Sequence, residues 1–337
     1  MEALAALAAL RAAYIISKTK DRSTSSAANR TGKGGGEIEV QGRVLSISSS
    51  VVYGYVGNKA STFPMQLHGF DVDPINSVQL SNHTGYRYFL GQKLEGKDLS
   101  TLLQGLSKNE LTQTYSHLMT GYLGTASFVN CVARLVSEMK LKRPGLQYIC
   151  DPVMGDDGRL YVPEEFVNLY REKLIPHASL LTPNQSEAEW LSGETISCLD
   201  SAYRAAVKLC DKGAKNVVIT SLQLDNRDDF IDVVAVGESI GVGKYYHLAL
   251  PRQPGKYSGC GDLCTALLLV WFHKHPKDMK LILENTFASI QAVIYRTRTK
   301  GVRRCGWTEL QLVNSRDDLE SPQVKQKVQV IEAAACN

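Results

Sequence analysis

From Arg43 onward, short apolar runs alternate with longer amphipathic ones, and this alternation constrains the fold more than any other feature of the chain. Strand-like runs fall at 43–48, 72–78, 117–120, 146–151, 179–182 and 216–220. Helical patterns separate them at 57–67, 99–106, 126–140, 163–174, 185–191 and 200–212. Strands that are apolar throughout need cover on both faces, and helical crossovers supply it. The expectation is therefore an α/β fold with a mostly parallel central sheet and helices on both faces. Runs at 231–236 and 244–250 follow each other without a helix and read as an antiparallel pair extending one edge. Helices from Gly261 and from about Asp278 complete the core, and 310–313 reads as one more strand. Ligands of such sheets bind beyond the carboxyl ends of the strands. That rule nominates segments 48–50, 81–86, 120–122, 151–158, 182–184 and 220–221.

Residues 1–42 differ from the rest. They run from an Ala/Leu-rich start into a Ser-, Lys-, Arg- and Gly-rich stretch ending in Gly34-Gly35-Gly36. This composition reads as a flexible extension, with 43–337 as a single domain. Its shortage of acids resembles a plastid or mitochondrial transit peptide. Sparse arginine and the lack of a clear cleavage site favour an extension without an address, and a cytoplasmic protein. Residues 1–36 carry the whole net charge of +4, so the body is neutral and offers no footprint for nucleic acid. No apolar run reaches the roughly 20 residues needed to span a membrane. The eight cysteines form no CxxC pair and no zinc-type grouping with histidine, and read as buried, reduced thiols.

Three segments carry candidate chemistry. Gly259-Cys260-Gly261-Asp262 opens an almost wholly apolar helix. The amino end of a buried helix presents free N–H groups and partial positive charge, and glycines let phosphate oxygens approach them. Asp262, in the first turn, could take a proton from an attacking hydroxyl, or could simply be a helix-start residue. Thr182-Pro183-Asn184-Gln185-Ser186-Glu187 starts another helix at a strand end. Asn184 and Glu187 share a face, and either organise the waters of a triphosphate-bound Mg²⁺ or form a capping box. Asp151 ends a buried strand and begins a loop with Asp156 and Asp157, where a buried carboxylate needs a partner or a cation. A Walker A sequence and the protein-kinase signature set are both missing.

Taken in order, these segments resemble the ribokinase superfamily and, within it, the pyridoxal kinases. The resemblance runs from about Arg43 to Val313. It rests on 54–60 (Gly-Tyr-Val-Gly-Asn-Lys-Ala), 76–86, 150–156, 181–189 and 259–262. It implies a ribokinase-like three-layer sandwich. It also implies ATP-dependent phosphorylation of the 5′-hydroxymethyl of pyridoxal, pyridoxine or pyridoxamine, with Mg²⁺ (or another divalent cation such as Zn²⁺), a monovalent K⁺ or Na⁺, and a homodimer. By resemblance, Ser49 and Thr84 hydrogen-bond the pyridine substrate and Val56 and Tyr122 line its pocket. Asp151 and Thr182 lie near the ATP phosphates and a monovalent cation. Asp156, Tyr161, Asn184 and Glu187 border the phosphates and metal, with Asp151, Thr182 and Glu187 as the metal set. Thr220 and Ser221 approach the nucleotide, Gly259–Gly261 form the anion hole, and Asp262 is the base. Two positions depart from the family pattern: Cys260 replaces a Thr, and Ser48-Ser49-Ser50 replaces Gln-Ser-His. A hydroxymethylpyrimidine or sugar kinase of the same superfamily, or a low-turnover B6-binding protein, are the alternative readings.

Overall fold

The computed structural model describes residues 42–225, 227–238 and 244–332. The expectations for residues 1–41 lie outside the described residues. A ten-stranded sheet runs through the molecule in the order β12-β11-β10-β9-β8-β5-β4-β1-β2-β3. Its six central strands are parallel: β2 (Phe70–Leu80), β1 (Gly42–Val51), β4 (His117–Thr120), β5 (Gln147–Cys150), β8 (Leu180–Leu181) and β9 (Asn216–Leu222). β10 (Phe230–Gly237), β11 (Lys244–Pro251) and β12 (Gln329–Glu332) extend one edge antiparallel. β3 (Gly91–Lys93) pairs antiparallel at the other edge.

Period-two alternation divides the core. On one face Leu45, Ile47, Leu118, Tyr148, Cys150, Val217 and Ile219 are buried under α2 (Gly96–Lys108), α3 (Ala126–Lys142), α4 (Glu165–Leu169), α5 (Gln185–Ser192) and α6 (Leu199–Asp211). On the other, Val44, Met119, Ile149, Leu180, Val218 and Val233 meet α1 (Asn58–Leu67), α7 (Cys260–Lys274), α8 (Met279–Lys300) and α9 (Arg316–Glu320). The apolar helix α7 is buried along nearly its whole length, as its composition requires.

Two expectations fail. Segment 310–313 is not a strand: Leu310 and Leu312 are driven into the core beside α8, and Gln311 N–H donates to Thr297 Oγ1 at 3.0 Å instead of to a strand. The strand that does pair at that edge is β12, too short and too exposed to register as a periodic pattern. Cys198 and Cys305 are exposed, whereas Cys131, Cys150 and Cys264 are buried; all seven described cysteines are free.

Candidate active site

The carboxyl ends of the six parallel strands lie on one side of the sheet, and the amino end of α7 arrives there. Gly259 begins that turn at φ +89, and a Cβ on it would lie 1.9 Å from Tyr55 O, so only glycine fits. Gly261 differs: a Cβ there would meet nothing nearer than Asp151 Oδ2 at 4.0 Å. The space where a side chain would stand is open, with Asp151 at its edge. The amides of this turn are the orphan donors of a helix start, suited to anionic oxygens.

Asp262 extends from the same turn toward β1 and β4. A Cβ on Gly121, just past β4, would lie 3.6 Å from Asp262 Oδ1 and 2.4 Å from Ser48 Oγ. Gly57 stands opposite at φ +57, where a Cβ would strike Ser49 O at 1.8 Å. Burial pushes the Asp262 carboxyl up to about 6, against the nearby backbone N–H groups of Gly57 and Asp262 itself and the Ser48 side chain, which hold it down. Asp262 keeps partial solvent access. Ser48 Oγ is buried and has no well-formed partner within the protein. Strand pairing slips by one residue here, with Ser48 opposite Asn76 and Ser50 opposite Gln79, which leaves Ser49 out of the ladder. Asn58 anchors this corner. Its Nδ2 lies 2.9 Å from Ile75 O, 3.2 Å from Ser48 O and 2.8 Å from Asn76 Oδ1, while its Oδ1 accepts from Ser46 Oγ at 2.7 Å.

Asp151 is buried at the end of β5. Desolvation, then the neighbouring Glu187 and Asp262 carboxylates, push its carboxyl well above the usual range. Thr265 Oγ1 donates to Asp151 Oδ2 at 3.1 Å and lies 3.0 Å from Thr182 Oγ1. Thr265 Oγ1 is thus shared between Asp151 and Thr182, and Thr182 Oγ1 also lies 3.4 Å from Cys150 O. Glu187 is buried, and burial raises its carboxyl to about 8. Its oxygens accept from Met154 N–H and Asn184 N–H, each at 2.9 Å. Asn184 Oδ1 accepts from Glu187 N–H at 2.9 Å, and Asn184 Nδ2 donates to Gly155 O at 2.8 Å. Asn184 and Glu187 thus form a reciprocal capping box for α5 and also staple down the hairpin of β6 (Gly155–Asp156) and β7 (Arg159–Leu160).

Beyond the staple, Asp156 and Tyr161 are exposed on and just after that hairpin. Thr220 lies near the end of β9 with its N–H on Pro183 O at 2.9 Å, and Ser221 follows in the same strand at φ 52. Tyr122 is half-buried beyond β4, its carbonyl accepting from Ser77 Oγ at 2.5 Å. Val56 is half-buried in the turn before α1, and Thr84 is exposed between buried His83 and Gly85.

A family profile described as phosphomethylpyrimidine kinase matches residues 111–268, the stretch from before β4 into α7. Over most of its length the chain is 42% identical to a pyridoxal kinase of Arabidopsis thaliana, covering 86% of this chain and 94% of that protein. It is 39% identical to pyridoxal kinase of Homo sapiens, covering 85% and 98%. The chain belongs to the pyridoxal kinase family. The pyridoxal kinase of Leishmania donovani, solved in complex with ADP and pyridoxamine, superposes with a TM-score of 0.80 at 38% identity, covering 86% of this chain and 99% of that one. The same enzyme has been solved with ADP and pyridoxine, at 37% identity. The fold is thus that of the ribokinase-like pyridoxal kinases, as the resemblance implied; the alternation of runs implied its mostly parallel α/β sheet.

Within the pyridoxal kinase pattern, the departure at position 260 leaves the backbone amides in place. Burial, then the Asp262 charge, raise the Cys260 thiol to about 12. Sequence reasoning gave no role to Asn58 and Thr265, and nominated Ser48 only as part of segment 48–50. Thr265 had a signal: it lies three residues after Asp262 on the same helix and therefore on a shared face. Asn58 had none, because its partners come from two strands that only folding brings together.

Proposed function

We propose that the protein phosphorylates the 5′-hydroxymethyl group of pyridoxal, pyridoxine or pyridoxamine from ATP. The observation that carries this reading is the meeting of Gly261 and Asp262 with the ends of β4 and β5, in front of open space. In this reading the amides of Gly259–Gly261 receive the transferring phosphoryl oxygens. Asp262 faces the substrate hydroxyl and accepts its proton, and the Gly57 N–H holds the carboxylate in line. Ser49 and Thr84 hydrogen-bond the pyridine ring, with Val56 and Tyr122 as walls. Thr220 and Ser221 border the nucleotide. Asp156 and Tyr161 border the phosphates from the stapled hairpin.

Asp151 feels the charges of both Glu187 and Asp262, none of the three forms an ion pair among the described residues, and those residues bring no three acidic, histidine or cysteine side chains close enough to ligate one ion directly. A buried acidic space of this kind fits a cation accompanying the phosphates. A divalent cation such as Mg²⁺ or Zn²⁺, when bound, neutralises the phosphate oxygens and the facing carboxylates together. Both Glu187 oxygens already accept backbone N–H groups, so Glu187 and Asn184 act on the cation through water. Asp151 and Thr182 are the residues we assign to a monovalent cation, K⁺ or Na⁺. The homodimer and a cytoplasmic site of action belong to the same proposal.

The profile match begins at residue 111 and so leaves out Ser49, Val56 and Thr84, the positions that separate a pyridine from a pyrimidine. The test follows from that. ADP release is measured against pyridoxal, pyridoxine, pyridoxamine and hydroxymethylpyrimidine, with and without K⁺. Turnover on the B6 vitamers supports the proposal. Turnover on the pyrimidine alone, or tight pyridoxal binding with no ADP released, would replace it with one of the two alternatives.

A further inference from the structure

The loop carrying Thr84 and the turn carrying Val56 are both fastened to a third segment, 304–309, far away in sequence. Glu309 is its hub. Its Oε2 accepts the Tyr55 N–H at 3.2 Å, and its Oε1 accepts the Tyr86 hydroxyl at 2.8 Å and lies 3.2 Å from His83 Nε2. The Gly85 N–H donates to His83 Nδ1 at 3.2 Å, which places the histidine proton on Nε2, facing Glu309. Trp307 adds a second fastening: its indole N–H donates to Gly85 O at 2.7 Å, and its ring stands edge-on to His83 at 4.8 Å.

Two glycines record how closely these parts meet. A Cβ on Gly54, at φ +96, would lie 2.2 Å from Glu309 Oε2, and one on Gly85 would lie 2.5 Å from the Trp307 ring. Thr84 is therefore held on both sides, through His83 and Gly85, and Val56 is held through Tyr55. Glu309 is 12% exposed at its side chain and His83 is 6% exposed, so these hydrogen bonds are shielded from competing water. Burial disfavours the Glu309 charge, but the bonds from His83 and Tyr86 outweigh it and its carboxyl sits below the ordinary value. Among the described residues, Glu309 and Trp307 make no hydrogen bond to the phosphate end of the site, which Glu309 reaches only through Tyr55, whose carbonyl packs against Gly259.

We infer that Glu309 is a positioning residue for the substrate pocket, fixing the Val56 turn and the Thr84 loop to each other so that the vitamer ring meets a preformed slot. The inference rests on the reading of Val56 and Thr84 as pocket residues. It separates two functions along the chain: α7 carries phosphoryl transfer, and 304–309 sets vitamer affinity.

The test compares Glu309→Ala, Glu309→Gln and Trp307→Phe with the unmodified protein by steady-state kinetics and by direct titration with pyridoxal. Glu309→Ala removes charge-assisted bonds and should raise KM and Kd for pyridoxal about tenfold, with kcat and KM for ATP within about threefold. Glu309→Gln keeps one carbonyl acceptor but turns an N–H toward another donor, so it should fall between the two. Trp307→Phe keeps the ring and loses one bond, and should raise the pyridoxal KM about threefold. If the alanine variant does not fold, the phenylalanine and glutamine variants still report the split. Unchanged pyridoxal KM in all three, or equal changes in the pyridoxal and ATP constants, would overturn the inference alone. Failure of the unmodified protein to bind pyridoxal would overturn it together with the proposed function.

Discussion

At position 262 a carboxylate packed against Gly57 and Ser48 is held up to about 6. A group whose folded pKa is raised contributes stability at low pH and loses it as pH rises through the folded value. Asp262 is thus unfavourable for the fold above pH 6 while being ionised there, as a base must be. Two outcomes follow. The pH profile of kcat should rise through about 6 and then level. Asp262→Asn should lower kcat by about 10²–10⁴-fold. It should also stabilise the protein at pH 8 by about 1–3 kcal/mol, a gain that shrinks toward pH 4. Chemical denaturation at the two pH values checks the second. Cys260→Thr restores a hydroxyl without touching the amides, so turnover should hold or rise; a large loss would contradict the account of that turn. Asp262 and both glycines were legible in the sequence because each has a local reason to be at a helix start. The nearness of Ser48 to Asp262 was not, since it depends on β1 and α7 meeting.

Elements position these residues through a few buried polar hubs. Asn58, at the start of α1, satisfies carbonyls of both β1 and β2 next to Ser49. Asn58→Ala strands those acceptors in the core and should cost about 2–4 kcal/mol, read from urea unfolding of variant and parent. Glu187 plays the same part for α5 and the β6–β7 hairpin. Here both sequence readings of the Asn184–Glu187 pair bear on one place. The capping box is realised in full, and the cation role proposed for the pair works through water. Strands and helices of the parallel half were readable to within a few residues because their burial is two-sided. β3, the β6–β7 hairpin and β12 were not, because short, exposed strands carry no apolar period.

Across the whole molecule, the two ends of the sheet have opposite electrostatic characters. The carboxyl ends gather acids with raised pKa values, Glu187 at about 8 and Asp262 at about 6. At the other end burial keeps His68 and His117 neutral, at about 4 and about 3. His117 packs between the rings of Phe70 and His273, and its Nε2 has no partner. A depressed histidine contributes stability above its unfolded pKa of about 6.5 and loses it as pH falls toward the folded value. His117→Phe removes that proton uptake. Its urea midpoint relative to the parent should climb as pH drops from 6.5 to 4.5; a constant difference would contradict the burial argument. The acidic end is where the central claim lies, and it is tested most directly by one measurement: formation of pyridoxal 5′-phosphate from pyridoxal and ATP, followed by mass spectrometry with the parent and with Asp262→Asn. The account predicts product from the parent and a loss of at least about a hundredfold in the variant. No product from the parent, or equal product from both, would contradict it.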